Sequence, residues 1–369
     1  MMDYITTSNL YWDRFDLSVV KQMWFTEEEL WRCTAKKGDL LICEGGDIGR
    51  AAIWNYDYDI RIQNHIHRLR GYKGINHRFY YFVFLLYKLS NRIGGKGVAI
   101  QGLSSGDLQK LEVPLPPEYE QIRLVKTIEK WFKFVDLLEQ EQENLHTLVQ
   151  STKSKILDLA ISGKLVPQDP NDEPAIELLR RINPAFKPCD NSHYENLPQG
   201  WTIVGLHSVA EIITGSTPSK LNAEYYNGDV PFYKPNDLDQ GRHVRCASEY
   251  LSQQGKSISR SIPCNSIAVC CIGSIGKCGF IEKEGVTNQQ INTIVPNDAI
   301  FPLYMYYFCN SSTFIDELKS LSSAVTISIV NKSKLSTIQI PLPPIAEQKR
   351  IISVIEKLYS HLDMITAEL

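Results

Sequence analysis

Three short constellations in this chain carry residue types that do chemistry. Glu347-Gln348-Lys349 sets a carboxylate two positions from an ammonium, the Glu-x-Lys spacing of metal-dependent nucleases. Such a site needs a further acidic group to hold its cation. None stands at suitable spacing, and the related segment Glu120-Gln121-Ile122 lacks the lysine, so a helix-surface ion pair is the expected role. Cys264, Cys270, Cys271 and Cys278 crowd together without Cys-x-x-Cys spacing, and they read as small core residues rather than zinc ligands. His65-x-His67 would put two rings on one face of a strand, with no second ligand pair. Pro116-Pro117 follows Leu115, where amino-methyltransferases carry Asn or Asp before two prolines and an aromatic. Leucine cannot accept a bond from a target amine. Neither a Gly-x-Gly-x-x-Gly loop nor a Gly-x-x-x-x-Gly-Lys-[Ser/Thr] phosphate cradle occurs. The residue types exclude a recognisable enzyme or metal site and leave binding.

The charge pattern favours an anionic partner in one region. The chain has 369 residues and a net charge of −3. Residues 1–117 hold 15 basic and 13 acidic side chains, whereas 118–196 hold 10 and 14. Between Ile60 and Gly106 there is no Asp or Glu, but there are Arg61, Arg68, Arg70, Lys73, Arg78, Lys88, Arg92 and Lys96. An uncompensated basic run is the footprint a polyanion would use, and equally a solvated face whose acids come from elsewhere in the fold. With 43% hydrophobic and 22% charged residues the composition is that of a globular protein. No apolar run reaches the ~18 residues of a membrane span, and the N-terminus lacks a signal-peptide pattern. Nine cysteines without a small-domain spacing suggest reduced thiols in a cytoplasmic setting.

The elements that would position these residues are set out by an internal repeat. Pro114-Leu115-Pro116-Pro117 with Glu120-Gln121 and Arg123 returns as Pro341-Leu342-Pro343-Pro344 with Glu347-Gln348 and Arg350, an offset of 227. Gly46-Asp47-Ile48-Gly49-Arg50 returns as Gly273-Ser274-Ile275-Gly276-Lys277, and Ile128-Glu129-Lys130 as Ile355-Glu356-Lys357. An ungapped register also equates Gln63 with Gln290, Arg61 with Asn288 and His65 with Asn292. Leu40–Cys43 and Ala51–Trp54, like their partners Ile267–Cys271 and Cys278–Ile281, flank a Gly-x-Ile-Gly turn and predict β-hairpins. Val98–Ile100, Val325–Ile329, Leu111–Pro114 and Ile338–Pro341 predict further short strands. Phe79–Leu89 and Leu303–Phe308 predict buried helices. From Glu118 to about Ile161 apolar residues recur every three or four positions (Ile122, Val125, Ile128, Phe132, Val135, Leu138, then Leu145, Leu148, Ile156, Leu159) without Pro or Gly. This predicts one helix of roughly 60 Å. A second helix starts after Pro344, and the two are expected to pair antiparallel. The fold class is therefore α+β: two mixed α/β domains, at 1–117 and 197–340, joined by helical segments at 118–196 and 341–369.

The tandem units, the Pro-Leu-Pro-Pro-x-x-Glu-Gln-x-Arg helix start and Gly-x-Ile-Gly-[Arg/Lys] together resemble the specificity (S) subunit of type I restriction–modification systems. So do Leu197-Pro198-Gln199-Gly200-Trp201, Thr214-Gly215-Ser216-Thr217-Pro218 and Gly163-Lys164-Leu165-Val166-Pro167. The resemblance covers essentially the whole chain. It implies a non-catalytic protein in which two target recognition domains each read one half of a bipartite double-stranded DNA site. The paired helices would set the spacer and dock methyltransferase (M) subunits, which the restriction (R) subunits then join. S-adenosylmethionine, ATP and magnesium would belong to those partners.

Base reading needs amide, hydroxyl and guanidinium groups at groove edges and cations at phosphates. Candidates in the first unit are Thr7, Asn9, Asp47, Arg50, Arg61, Gln63, Asn64, His65, Lys96 and Gln101. In the second they are Thr214, Ser216, Thr217, Lys220, Tyr233, Lys234, Asn236, Ser274, Lys277, Gln289, Gln290 and Asn292. Residues that differ between repeats are favoured for base selectivity, and the repeated glycines serve a turn as readily as a contact. Aligned by the repeat, the first unit has no counterpart of Leu197–Asn227 and the last helix none of Glu143–Asn196, so a truncated or recombined reading frame is expected. The alternative function is a silent cassette that acts as a protein-interaction scaffold with one working DNA-binding domain.

Overall fold

The computed structural model describes residues 1–93, 103–189, 197–322 and 329–367. The predicted strands at Val98–Ile100 and Val325–Ile329 fall wholly or mostly outside these, as do the candidates Lys96 and Gln101. The chain forms two compact units, Met1–Gln140 and Glu141–Leu369.

In the first unit a three-stranded sheet runs in the order Ala51–Ile53, Leu40–Cys43, Ile66–Leu69. A four-stranded sheet runs Lys21–Met23, Met2–Ile5, Ile60–Ile62, Thr34–Ala35. Leu41, Cys43 and Ala52 alternate with Leu40, Ile42 and Ala51, so the hairpin contributes one face to each of two cores. Against one face lies the helix His77–Leu89, whose Phe79, Tyr80, Phe84 and Tyr87 are buried. The predicted hairpin turns are present in both units, and all four of their glycines need left-handed backbone: φ is +73° at Gly46, +82° at Gly49, +81° at Gly273 and +88° at Gly276. Turn geometry thus accounts for those glycines.

The second unit repeats this plan with one more strand. Its sheet runs Ala210–Thr214, Ile291–Pro296, Ser266–Cys270, Cys278–Ile281. A second sheet runs Glu249–Leu251, Tyr226–Tyr233, Gly285–Thr287, Ser261–Ile262, and Thr202–Gly205 pairs with Gln339–Leu342. The helix Pro302–Cys309 takes the place of His77–Leu89. Leu111–Pro114, predicted as a strand by analogy with Ile338–Pro341, forms none.

Hydrogen bonds correct the ungapped repeat register. Cys43 N donates to Arg50 O as Cys270 N does to Lys277 O, an offset of 227, but Glu44 N donates to His65 O as Cys271 N does to Gln290 O, an offset of 225. Two residues fewer separate hairpin and next strand in the second unit. Gln63 therefore corresponds to Asn288, His65 to Gln290, and His67 to Asn292; Arg61 corresponds to Val286.

The predicted long helix spans Glu118–Ile161 without a break. Its start is fixed by the glutamine of the repeated motif. Gln121 Oε1 accepts from Asn76 N while Nε2 donates to Gly74 O and Pro116 O; Gln348 does the same for Phe301 N, Ala299 O and Pro343 O. Each glutamine ties the long helix to the N-terminus of the buried one, where orphan N–H groups need an acceptor. Val125 and Ile128 pack into the first core, and Phe82 stacks on Phe132 at 5.9 Å. In the second unit the last turns, with Ile156, Leu157 and Ala160, join one cluster with Ile351, Ile352 and Ile355 of the helix Ile345–Ala367. Lys153 reaches Asp363 and accepts from Tyr359 Oη at 3.0 Å through its carbonyl, while Arg350 pairs with Asp172 beyond the helix end. That order makes the pairing antiparallel.

Candidate nucleic-acid interface

Four segments of the second unit converge at one end of its sheets. Asn288 N donates to Tyr233 O, Ser216 N to Thr287 O and Cys271 N to Gln290 O. These bonds bring together loops 214–218, 234–236, 271–276 and 288–290. Gly215 makes the closest approach: a Cβ there would stand 2.0 Å from the Asn288 carbonyl oxygen. Thr217, Asn236, Ser274 and Gln289 are exposed on these segments, with Ser216 and Gln290 half-buried, and Lys220 is exposed two residues beyond the first of them. The Thr217 hydroxyl donates to Gln289 Oε1, leaving the amide nitrogen side of Gln289 outward. Arg260 was not singled out from the sequence. It lies exposed beside this cluster, its backbone N–H donating to Ser216 Oγ and its guanidinium to Thr214 O. A lone arginine between serines gave no signal that only the tertiary contact supplies.

Several candidates are occupied inside the fold. Tyr233 is wholly buried, donates from Oη to Lys283 O, and has its hydroxyl pKa raised by burial. Asn292 is 4% exposed, accepts from Thr214 Oγ1 and donates to Val330 O. Asn9 is 6% exposed; Oδ1 accepts from Thr6 N while Nδ2 donates to Asp16 O and Val19 O. Tyr233, Asn292 and Asn9 are corrected to structural roles, since a buried and satisfied group cannot present an edge to a base. Lys234 pairs with Glu249, and Lys277 with Asp239 at 2.7 Å.

The first unit repeats the geometry. Gln63 N donates to Ile5 O and Glu44 N to His65 O, joining loops 6–9, 44–50 and 63–65. Asn64 and His65 are exposed there, with Thr7 and Gln63 half-buried. Arg50 holds the cluster together, with Nη2 donating to Thr7 O at 2.6 Å and the guanidinium over the Tyr11 ring. Asp47 pairs with Lys88. Arg61 Nε is buried with no hydrogen-bond partner among the described residues.

Three of the eight cations of the acid-free run meet acids from elsewhere in the fold. Arg70 pairs with Asp39, Arg78 with Asp13 and Glu129, and Lys88 with Asp47. Arg68 donates to Thr34 O. Arg70, Arg78 and Lys88 follow the paired reading, while Lys73 and Arg92 stand exposed.

The chemical constellations also resolve. Glu347 is not a surface ion pair: it is 1% exposed, accepts from Trp201 Nε1 at 3.0 Å and Gln168 Nε2 at 3.1 Å, and burial raises its pKa. Cys270, Cys271 and Cys278 are buried, with desolvation pushing Cys271 up to about 11 and Cys278 up to about 12; Cys264 is exposed. Among the described residues no group of three or more His, Cys, Asp or Glu could hold a metal ion, and no helix is long and apolar enough to cross a membrane.

Comparison with known proteins matches residues 5–147 and 198–369 to the type I restriction modification DNA specificity domain. The chain is 35% identical over 173 residues to the HindI specificity subunit of Haemophilus influenzae, covering 45% of this chain and 38% of that protein. It is 24% identical over 302 residues to the EcoBI specificity subunit of Escherichia coli, covering 79% and 60%. It thus spans less than two thirds of the length of either relative. The HsdS subunit from Thermoanaerobacter tengcongensis shares the fold with a TM-score of 0.59 at 15% identity, over 100% of this chain and 85% of that one. A chain from a structure of type I R-M system assembly gives 0.63 at 17%, over 100% and 86%.

Proposed function

Because this chain belongs to the type I restriction modification DNA specificity family, we propose that it is a sequence-specific DNA-recognition subunit whose two units each read one half of a bipartite duplex site. The observation that carries the reading is the loop cluster built twice by equivalent backbone bonds, with different side chains outward: Asn64 and His65 in one unit, Gln289 and Gln290 in the other. A shared scaffold with divergent tips suits two half-sites of different sequence. Asn64, Gln289 and Asn236 can make paired amide bonds to adenine, while Lys220 and Arg260 serve phosphates and fix register. Ser216, Thr217 and Ser274 add hydroxyls, which adapt to either donor or acceptor edges.

We assign this chain no catalytic group. Methyltransferase subunits dock on its helices, where Trp131, Val135 and Leu138 are exposed on Glu118–Ile161, and restriction subunits join that assembly. S-adenosylmethionine, ATP and magnesium then belong to the partners, and the complex acts in the cytoplasm. Co-expression with the cognate methyltransferase, followed by gel shift on duplexes carrying the methylated motif, tests the reading. Binding that is specific for that motif and weakens with salt is expected. Equal affinity for scrambled duplex overturns it.

A further inference from the structure

The repeated Ile128-Glu129-Lys130 and Ile355-Glu356-Lys357 take no part in the loop clusters, yet both glutamates are engaged. Glu129 Oε1 accepts from Arg78 Nε at 2.9 Å, and Arg78 Nη1 pairs in turn with Asp13. Glu356 Oε1 accepts from Arg242 Nη2 at 3.1 Å, and Arg242 Nη1 stands 3.8 Å from Glu282. The two arginines are not repeat mates. Arg78 lies in the first turn of the helix His77–Leu89, whereas Arg242 belongs to the irregular segment Asp237–His243.

What recurs is the two ends of the tie. Thr6 N donates to Asn9 Oδ1 as Lys234 N does to Asp237 Oδ2, an offset of 228. At the same offset Leu10 and Leu238 are buried, and Asp13 and Gly241 both take left-handed backbone, with φ of +60° and +61°. The segments that carry Thr7 and Asn236 into the loop clusters therefore end in equivalent turns. From that turn each is bound to the glutamate of its long helix, through Asp13–Arg78–Glu129 in the first unit and Arg242–Glu356 in the second. Aromatic rings seat the arginines: Arg78 Cζ lies 4.7 Å from the Tyr81 ring centre and 4.9 Å from that of Phe82, and Arg242 Cζ 4.9 Å from that of Phe280. Beside them Phe82 meets Phe132 and Tyr307 meets Tyr359, both at 5.9 Å between centres. The glutamate side chains are 40% and 45% exposed, and ion pairs so exposed add little to stability. A link of small energetic value, made twice with different arginines, serves geometry.

We propose that Glu129 and Glu356 are positioning residues for base reading. Each holds one reading segment in a fixed orientation on its helix, so that the loop residues meet base edges in register. The proposal rests on the DNA-reading role given above and names residues that support it without touching DNA. Glu129→Ala and Glu356→Ala are made in the full-length chain, where alanine suits an exposed helix position and the melting temperature should hold. Amide exchange without DNA is expected to quicken about threefold or more at residues 6–16 in Glu129→Ala alone, and at residues 234–246 in Glu356→Ala alone. With the cognate methyltransferase, methylation mapping should show each variant relaxing a different half of the motif. Discrimination against a mismatch in that half should fall about threefold or more. Arg242→Lys, whose ammonium can still reach Glu356, should keep discrimination in its half, and Arg242→Met should lose it; a packing role alone would be met by methionine. Unaltered exchange in both segments, or loosened segments with both halves read as sharply as before, overturns the proposal. Failure of the underlying reading looks different: the wild-type chain then gives no two-part motif, and the proposal falls with it.

Discussion

Gly215 sits where a side chain would collide with backbone, and Glu282 where Arg242, His243 and Arg245 meet; each gives a prediction about single residues. A Cβ at position 215 would lie 2.0 Å from the Asn288 carbonyl oxygen and 2.5 Å from that of Thr287. Gly215→Ala is expected to cost about 1–3 kcal/mol, the range for forced overpacking, and to displace Ser216 and Thr217. Specific DNA affinity, read by gel shift, should fall more than non-specific affinity; an equal fall in both would remove the loop from the reading surface. Glu282 accepts from Arg245 and His243, which hold its pKa down at about 2 against the usual 4.5. Its stabilisation is full above the unfolded value and is lost as pH falls toward 2. Melting temperature should drop more steeply with acidification in the wild type than in Glu282→Gln. Hydroxyls, amides and glycines of the loops were visible as residue types in the sequence. Their exposure was not, because Asn292 and Gln289 look alike until the fold buries one and presents the other.

At the scale of elements, the repeated glutamine is the joint on which both units depend. Gln121 and Gln348 each satisfy one helix-terminal N–H and two carbonyls. Gln348 is wholly buried and Gln121 1% exposed. Substitution by alanine leaves buried partners unsatisfied, at a cost of about 1–3 kcal/mol. Denaturant melts of Gln121→Ala and Gln348→Ala should both show that loss, whereas Arg123→Ala, in an exposed pair with Glu120 at 3.4 Å, should stay within about 0.5 kcal/mol. The hairpins, buried helices and long helix were legible because their signals are local: period, turn glycines and the proline stop. The strand expected at Leu111–Pro114 was not, since its counterpart Gln339–Leu342 is a strand only by pairing with Thr202–Gly205. Pairing is a tertiary fact that residue pattern does not encode. The glutamine pair could have been found, as an amide preserved at an offset of 227 just after a proline stop.

For the molecule as a whole, the duplication was the strongest signal, and the structure refines it by a two-residue slip that reassigns Gln63 to Asn288. The acid-free run left two readings open, and acids from distant segments, Asp13, Asp39, Asp47 and Glu129, pair with three of its cations, Arg70, Arg78 and Lys88. What survives is a chain in which equivalent scaffolds carry unlike tips, and a family of DNA specificity domains to which it belongs. The most direct measurement is methylation mapping of DNA from cells carrying the cognate methyltransferase with the wild-type chain, with Gln289→Ala, and with Asn64→Ala. The account predicts a two-part methylated motif, with Gln289→Ala relaxing one half and Asn64→Ala the other. A motif altered in the same half by both substitutions, or methylation unchanged when the chain is deleted, would contradict it.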